Sequence, residues 1–240
     1  MRRKARSKHP NKRYSRRKTR YSKKKYFKGG PVNRASLSAR SAVAFPKTNL
    51  VKMRYTEYLE LDPTNAGAIE IHQFRANSIY DPNLTGAGHQ PLGHDQWQTF
   101  YDRYTVIGSK INIMAMSKTE NNTVPNVFGV YTSDTQAITA ASVPAICEQG
   151  LSTWKTLPSA LQTPRQINGY FSAKKYFQLK DIKDNQNRYG ADFGGNPAEQ
   201  AYFNVWCGAM DGVTDTSPAS FLITIDYLVL CSEPNELPQS

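Results

Sequence analysis

From Asn49 to Leu61 the chain alternates. Val51, Met53, Tyr55, Leu59 and Leu61 are apolar, and Lys52, Arg54, Thr56 and Glu60 between them are polar. A period of two predicts a strand with one buried face. Asp62-Pro63-Thr64-Asn65 then breaks it. The next run, 67–75, sets Ile69 and Ile71 against Glu70 and His72. Residues 101–117 form a long β-branched run that alternates at Ile107, Ile111 and Ile113. Further runs lie at 125–133, 153–157, 166–179, 201–211 and 219–232. In the last, Phe221, Ile223 and Ile225 oppose Leu222, Thr224 and Asp226. Between these runs, 76–99, 134–152 and 180–200 read as loops, and Pro144 interrupts the one short helix that 134–150 could hold. Eight strands separated by turn residues predict an all-β sandwich or barrel. The alternating strand–helix units of a dinucleotide-binding fold or a TIM barrel are missing.

Charge divides the chain more sharply than hydropathy does. Residues 1–54 carry twenty basic side chains and no acid, and residues 55–240 carry eleven basic and nineteen acidic ones. The two parts are +20 and −8, which gives the net +12. The first 28 residues hold fifteen of the cations: Arg2, Arg3, Lys4, Arg6, Lys8, Lys12, Arg13, Arg16, Arg17, Lys18, Arg20, Lys23, Lys24, Lys25 and Lys28. A like-charged block with almost no aliphatic side chains has nothing to offset its ordering entropy, so a disordered arm is expected. Gly29-Gly30-Pro31 closes it, which places an arm and linker at 1–47 and a folded body at 48–240. Such a polycation binds polyanions by releasing counterions, without reading bases. Tyr14, Tyr21 and Tyr26 could stack on unpaired bases or merely interrupt the charge run. The cluster Arg16, Arg17, Lys18, Arg20, Lys23, Lys24 and Lys25 also has the form of a nuclear-import address.

No residue pattern suggests a reaction. The three cysteines, Cys147, Cys207 and Cys231, are far apart and fit neither a disulfide framework nor a zinc site. His9, His72, His89 and His94 offer no third ligand with defined geometry; His89 and His94 suit a structured loop. Nucleophile elbows, zinc-protease signatures and phosphate-binding glycine loops do not occur. No catalytic residue, metal or cofactor is expected. The start of the chain lacks the apolar core of a signal peptide. Phe221–Cys231, the most apolar stretch, is too short for a bilayer and contains Asp226, so no membrane insertion is expected.

Three features together resemble the capsid proteins of circular Rep-encoding single-stranded DNA viruses, the circovirus-like group. They are the Arg/Lys-rich start, the segment GHQPLGHDQWQTFYDRYTVIGSKINI, and the terminal SFLITIDYLVL with its Pro-containing tail. The middle segment is the most specific, through Tyr104, Val106, Gly108, Ser109 and Ile111. The resemblance implies a single eight-stranded jelly roll in which 219–232 lies beside both 49–61 and 101–117. It implies a T=1 shell of sixty identical copies around a single-stranded DNA genome, with the arm facing inward. Import receptors, a host attachment receptor, a virion location and a nuclear stage of assembly follow as expectations. Fifteen charges on each of sixty arms would neutralise ~900 phosphates, the right order for a compact genome partly neutralised by metal ions. The coat of a small RNA virus or satellite has the same layout. A cellular nucleic-acid-binding protein with a basic tail, or a ligand-binding jelly roll, are the other readings.

Overall fold

A computed structural model describes residues 45–63, 68–118, 124–136, 142–158 and 164–236. The chain divides into two units, Met1–Ala42 and Val43–Ser240, and every element below belongs to the second. The strands are β1 (Thr48–Leu61), β2 (Glu70–Arg75), β3 (Tyr101–Ser117), β4 (Asn126–Ser133), β5 (Thr153–Leu157), β6 (Arg165–Ser172), β7 (Gly190–Asp192), β8 (Tyr202–Ala209) and β9 (Ala219–Pro234). Short helices are α1 (His94–Gln98), α2 (Val143–Cys147), α3 (Ala173–Tyr176) and α4 (Gln186–Tyr189).

One antiparallel sheet has the order β1-β9-β3-β6, with β7 also pairing β3, and the other has the order β2-β8-β4-β5. The chain therefore crosses between sheets at nearly every connection, which is the double Greek key of a jelly roll. The expected all-β jelly roll is present, and β9 does lie between β1 and β3. Alternation explains the packing. Phe221, Ile223, Ile225, Tyr227 and Val229 of β9 are buried, and they meet Phe203, Val205 and Cys207 of β8 and Phe128 and Val130 of β4 in one core.

The differences from the sequence reading are local. The run 166–179 stops being a strand at Ser172, because Ala173–Tyr176 turns into α3 and places Tyr176 and Phe177 against Phe171. Pro144 does not interrupt α2. It sits in the first turn, where its missing N–H leaves no intrahelical bond unmade, and Ser142 caps the helix by accepting from Ala145 N–H. The loop 180–200 contains α4 and a ninth strand, β7, and the loop 76–99 contains α1. In β2 the polar residue His72 shares the core side with Phe74, their rings 4.8 Å apart, and its Nε2–H donates to Asn83 Oδ1 at 3.0 Å. Ile69 and Ile71 point the other way. They join Val127, Tyr131, Val143, Ile146 and Trp206 in a second cluster under α2.

A bulge in β3 between Val106 and Gly108 changes the phase of that strand. Just before it Tyr104 and Val106 enter the main core, with Thr105 and, at the strand's start, Tyr101 also buried; after it the buried side chains are Ser109, Ile111, Ile113, Ala115 and Ser117. Ile107, read from the sequence as part of the buried series, falls on the bulge and is only partly buried. The bulge needs a glycine, since a Cβ on Gly108 would lie 3.0 Å from the Phe171 carbonyl of β6.

Candidate nucleic-acid interface

The arm residues from Arg2 to Lys28, the import cluster among them, lie outside the described residues. Their chain continues directly into β1, an edge strand of the β1-β9-β3-β6 sheet. The five residues that carried the family resemblance are described, and all five serve the fold. Tyr104 is fully buried, its hydroxyl bonding the Gly195 carbonyl and Ser78 Oγ at 2.8 and 2.9 Å. Burial pushes its phenol up to about 12. Val106 and Ile111 are core, Gly108 makes the bulge, and Ser109 Oγ donates to the Ala76 carbonyl at 2.5 Å. The segment therefore speaks for a jelly roll and carries nothing about the cargo.

The loops that the sequence reads as irregular are pinned to each other. Buried Arg75 donates to Asp81 and to Gln200, each at 2.8 Å. Asn77 donates to the Glu199 carbonyl at 2.8 Å and accepts from Ala201 N–H at 2.9 Å, and Ser78 donates to Asn196 at 2.7 Å. One end of the sandwich is thus a single hydrogen-bonded surface of 76–83 and 196–201. His89 fixes the adjoining loop on β1. Its Nδ1 faces the Gln90 carbonyl at 2.8 Å and its Nε2 faces the Thr56 carbonyl at 3.0 Å.

A neutral imidazole donates once, whereas an imidazolium donates to both carbonyls. Those two acceptors, Gln90 first, raise the His89 pKa above 6.5 against a smaller burial effect. A folded pKa above the unfolded one gives stability that is complete below about pH 6.5 and is lost as pH rises through the folded value. His89→Gln is therefore expected to lower Tm more at about pH 5.5 than at about pH 8. Equal losses at the two pH values in a thermal melt would remove this account of the loop.

Thiol chemistry finds no support in the body. Burial raises all three cysteine pKa values, that of Cys231 to about 11, so the thiols stay protonated near neutrality.

The outer faces of the two sheets differ. That of β2-β8-β4-β5 is covered by α2 and the cluster around Trp206, and every residue of β8 is buried. Among the described residues, none covers that of β1-β9-β3-β6. Its residues form rows across all four strands. Arg54, Asp226, Lys110 and Tyr170 are in register, and so are Tyr58, Leu222, Met114 and Gln166 four residues along. Tyr58 is 84% exposed and Tyr170 69%. Arg54 donates to Asp226 at 2.6 Å, and Lys118 to Glu60 at the same distance. The Arg54 hydrogen bond is the main reason the Asp226 pKa is lowered, so this carboxylate stays ionised and occupied.

Lys110 Nζ lies 5.5 Å from the Tyr170 ring centroid. From the sequence alone, no body residue was expected to make this kind of contact. The alternation of β1 does turn Lys52, Arg54 and Tyr58 outward, and that part was readable. The alignment with Lys110 and Tyr170 depends on pairings between distant strands.

Comparison of the sequence with protein-family models and with curated proteins gives no match. Solved structures of similar fold include one of Desmodium yellow mottle tymovirus, at 10% identity and TM-score 0.44, covering 82% of this chain and 94% of that one. A cryo-EM structure of mud crab tombus-like virus has 14% identity and TM-score 0.44, over 85% of this chain and 98% of that one. A T=1 subviral particle of a Penaeus vannamei nodavirus capsid protein deletion mutant has 13% identity and TM-score 0.43, over 78% and 98%. None of these three bears the name of a circovirus.

Proposed function

We propose that this chain is the subunit of a small icosahedral virus shell, with residues 48–240 tiling the wall and residues 1–47 holding a single-stranded nucleic acid inside it. The observation that carries the reading is the joining of an acid-free segment, 1–47 at +18, to the edge strand of a jelly roll, 48–240, that is −6. A net-negative wall is repelled by phosphate, and a cationic arm attached to it is drawn to the polymer. Exposed apolar side chains on loops and the edge strand β5, among them Leu92 at 91%, Leu151 at 69% and Trp154 at 50%, suit contacts between copies. Sixty copies in a T=1 arrangement is the closed assembly that the circovirus resemblance implies.

The cargo is DNA in the circovirus-like form of this reading and RNA in the form that makes the chain the coat of a small RNA virus or satellite. The Tyr104–Ile111 segment was the sole residue-level argument for DNA, and its packing accounts for it. Nothing in the body favours DNA over RNA, so the RNA form stands beside the other.

Purified full-length chain is expected to sediment as uniform particles roughly 20 nm across that protect nucleic acid from nuclease. Digesting the released polymer with DNase or RNase, then sequencing it, assigns the cargo. A chain that stays monomeric at high concentration in every buffer overturns the reading. For the import address, serine at Arg16, Arg17, Lys18 and Arg20 is expected to keep a fluorescent fusion out of the nucleus; undiminished nuclear accumulation counts against it.

A further inference from the structure

We propose that the bare outer face of the β1-β9-β3-β6 sheet is a second contact surface for single-stranded nucleic acid. Lys52, Arg54 and Lys110 would meet phosphates there, and Tyr58 and Tyr170 would stack on unpaired bases. This rests on the cargo reading above and adds a site on the folded body to the one on the arm.

Four observations converge on the face. First, it is the uncovered one, because α2 and its cluster occupy the outer side of the other sheet. Large side chains standing in water on a flat sheet mark a contact surface when they gather, and here Tyr58, Tyr170, Met114 and Met116 are 84%, 69%, 41% and 41% exposed.

Second, its charge opposes that of the body. Its cations are Lys52, Arg54 and Lys110, with Lys118 at its end, and its carboxylates are Asp226 and Glu60. Among the described residues both carboxylates are already held, Asp226 by Arg54 and Glu60 by Lys118. Lys52 and Lys110 form no ion pair among the described residues, although both act through space on Asp226, so the face keeps more cations than carboxylates. A face of positive charge on a body (48–240) that is −6 overall selects a polyanion over another copy of the same body.

Third, the rings and cations are interleaved as single-strand binding requires. Tyr170 is in register with Lys110, and strand spacing places the Arg54–Tyr170 row across about 14 Å. Beside Tyr58 lies a shallow apolar cleft of about 320 Å³, shared with Met114, Met116 and Leu222, which offers a flat apolar seat to a base. Between these rows run Thr56, Thr224, Asn112 and Asn168, all neutral hydrogen-bonding groups.

Fourth, the arm joins the body at β1, which supplies Lys52, Arg54 and Tyr58. Arm and face are thus contiguous along the chain.

The test uses full-length chain and fluorescent thirty-nucleotide dT and rU strands, with binding followed by anisotropy over a salt series. Lys52→Ser with Lys110→Ser is expected to lower the log–log salt slope by about 1.4, two phosphate contacts at about 0.7 each. Tyr170→Ser is expected to weaken binding about five- to a hundredfold with the slope unchanged, and Tyr170→Phe to restore it, because stacking needs the ring and not the hydroxyl. Thermal melts confirm that the variants fold.

If wild type binds and encloses nucleic acid while all three variants match it in slope and affinity, the face is not a binding site and the arm reading survives. If wild type binds neither strand, the cargo reading itself fails. If the variants bind normally but no longer assemble, the face is a contact between copies and the proposal is overturned.

Discussion

Particles assembled from chain in which the fifteen Lys and Arg of residues 2–28 are replaced by serine are expected to be empty or nearly so. Two full sheets come from β1 to β9, so the substitution leaves the body its own means of folding. What it removes is counterion release. With ten of the fifteen cations engaged, log Kobs for a single strand falls by about 7 for each tenfold rise in salt. Wild-type binding is then lost by a factor of about 10⁴ between 50 and 200 mM, whereas the serine variant, left with the few phosphate contacts of the sheet face proposed above, is expected to lose only about tenfold. The ratio of absorbance at 260 and 280 nm in gradient-purified particles reads the packaged polymer directly. Serine-arm particles with a wild-type ratio would contradict the assignment of the arm. A second variant separates charge from stacking. Serine at Tyr14, Tyr21 and Tyr26 keeps all fifteen cations, so an unchanged salt slope with weaker binding identifies those rings as stacking groups.

The largest effect on stability is expected from Gly129→Val. Gly129 of β4 is in register with Trp206 of β8 on one side and Trp154 of β5 on the other. The Trp206 indole lies flat over the glycine, so a Cβ there would stand 2.6 Å from Trp206 Cε2 and Cζ2 and 2.7 Å from Nε1. Trp206 is itself fully buried under α2 and has nowhere to move. The valine must push β4 away from β8 or expel the indole from its cluster, at a cost of about 3 kcal/mol or more. Gly129→Ala brings the same first clash with less bulk and is expected to destabilise less. Replacing Trp206 by Leu in the Gly129→Ala background is expected to recover part of the loss, since the clash and the cavity offset each other. Urea denaturation of dissociated subunits measures all three. Full stability of Gly129→Val would mean that Trp206 does not lie where it is described.

Much of the body was legible because its strands alternate. In β1 and β9 the polar and apolar positions fall on opposite faces without interruption, and their positions could be read from side-chain type alone. The reading failed where a position's surroundings come from elsewhere in the chain. Ile69 and Ile71 suggested the main core, yet α2 provides a second apolar layer that takes them and leaves His72 on the core side. The strand 166–179 looked continuous, yet Phe171, Tyr176 and Phe177 pack together only if the chain turns at Ala173. Gly190–Asp192 is too short to show a period, and its strand character comes from pairing with Arg103–Thr105. The arm, by contrast, needed no partner to be recognised, because fifteen cations without an acid are evident in composition alone. The bare sheet face was half-visible: β1 announced its outward Lys52, Arg54 and Tyr58, and only the pairing of β3 with β6 and β9 brings in Lys110 and Tyr170.

The bulge in β3 has a consequence for manufacture. Next to it the main-core residues are even-numbered on one side, Tyr104 and Val106, and odd-numbered on the other, Ile111, Ile113 and Ala115. Were β3 to slide by one residue against β9, whichever half then faced correctly, the other half would present its wrong side to the core. Even a two-residue slide, which keeps the alternation, would carry the extra residue away from Gly108, where alone a missing side chain makes room for β6. The central strand pair thus admits one alignment only. In the shell proposed above, made from many copies of one part, no part can be out of gauge, and this kink would work as the jig that makes each copy interchangeable with the next.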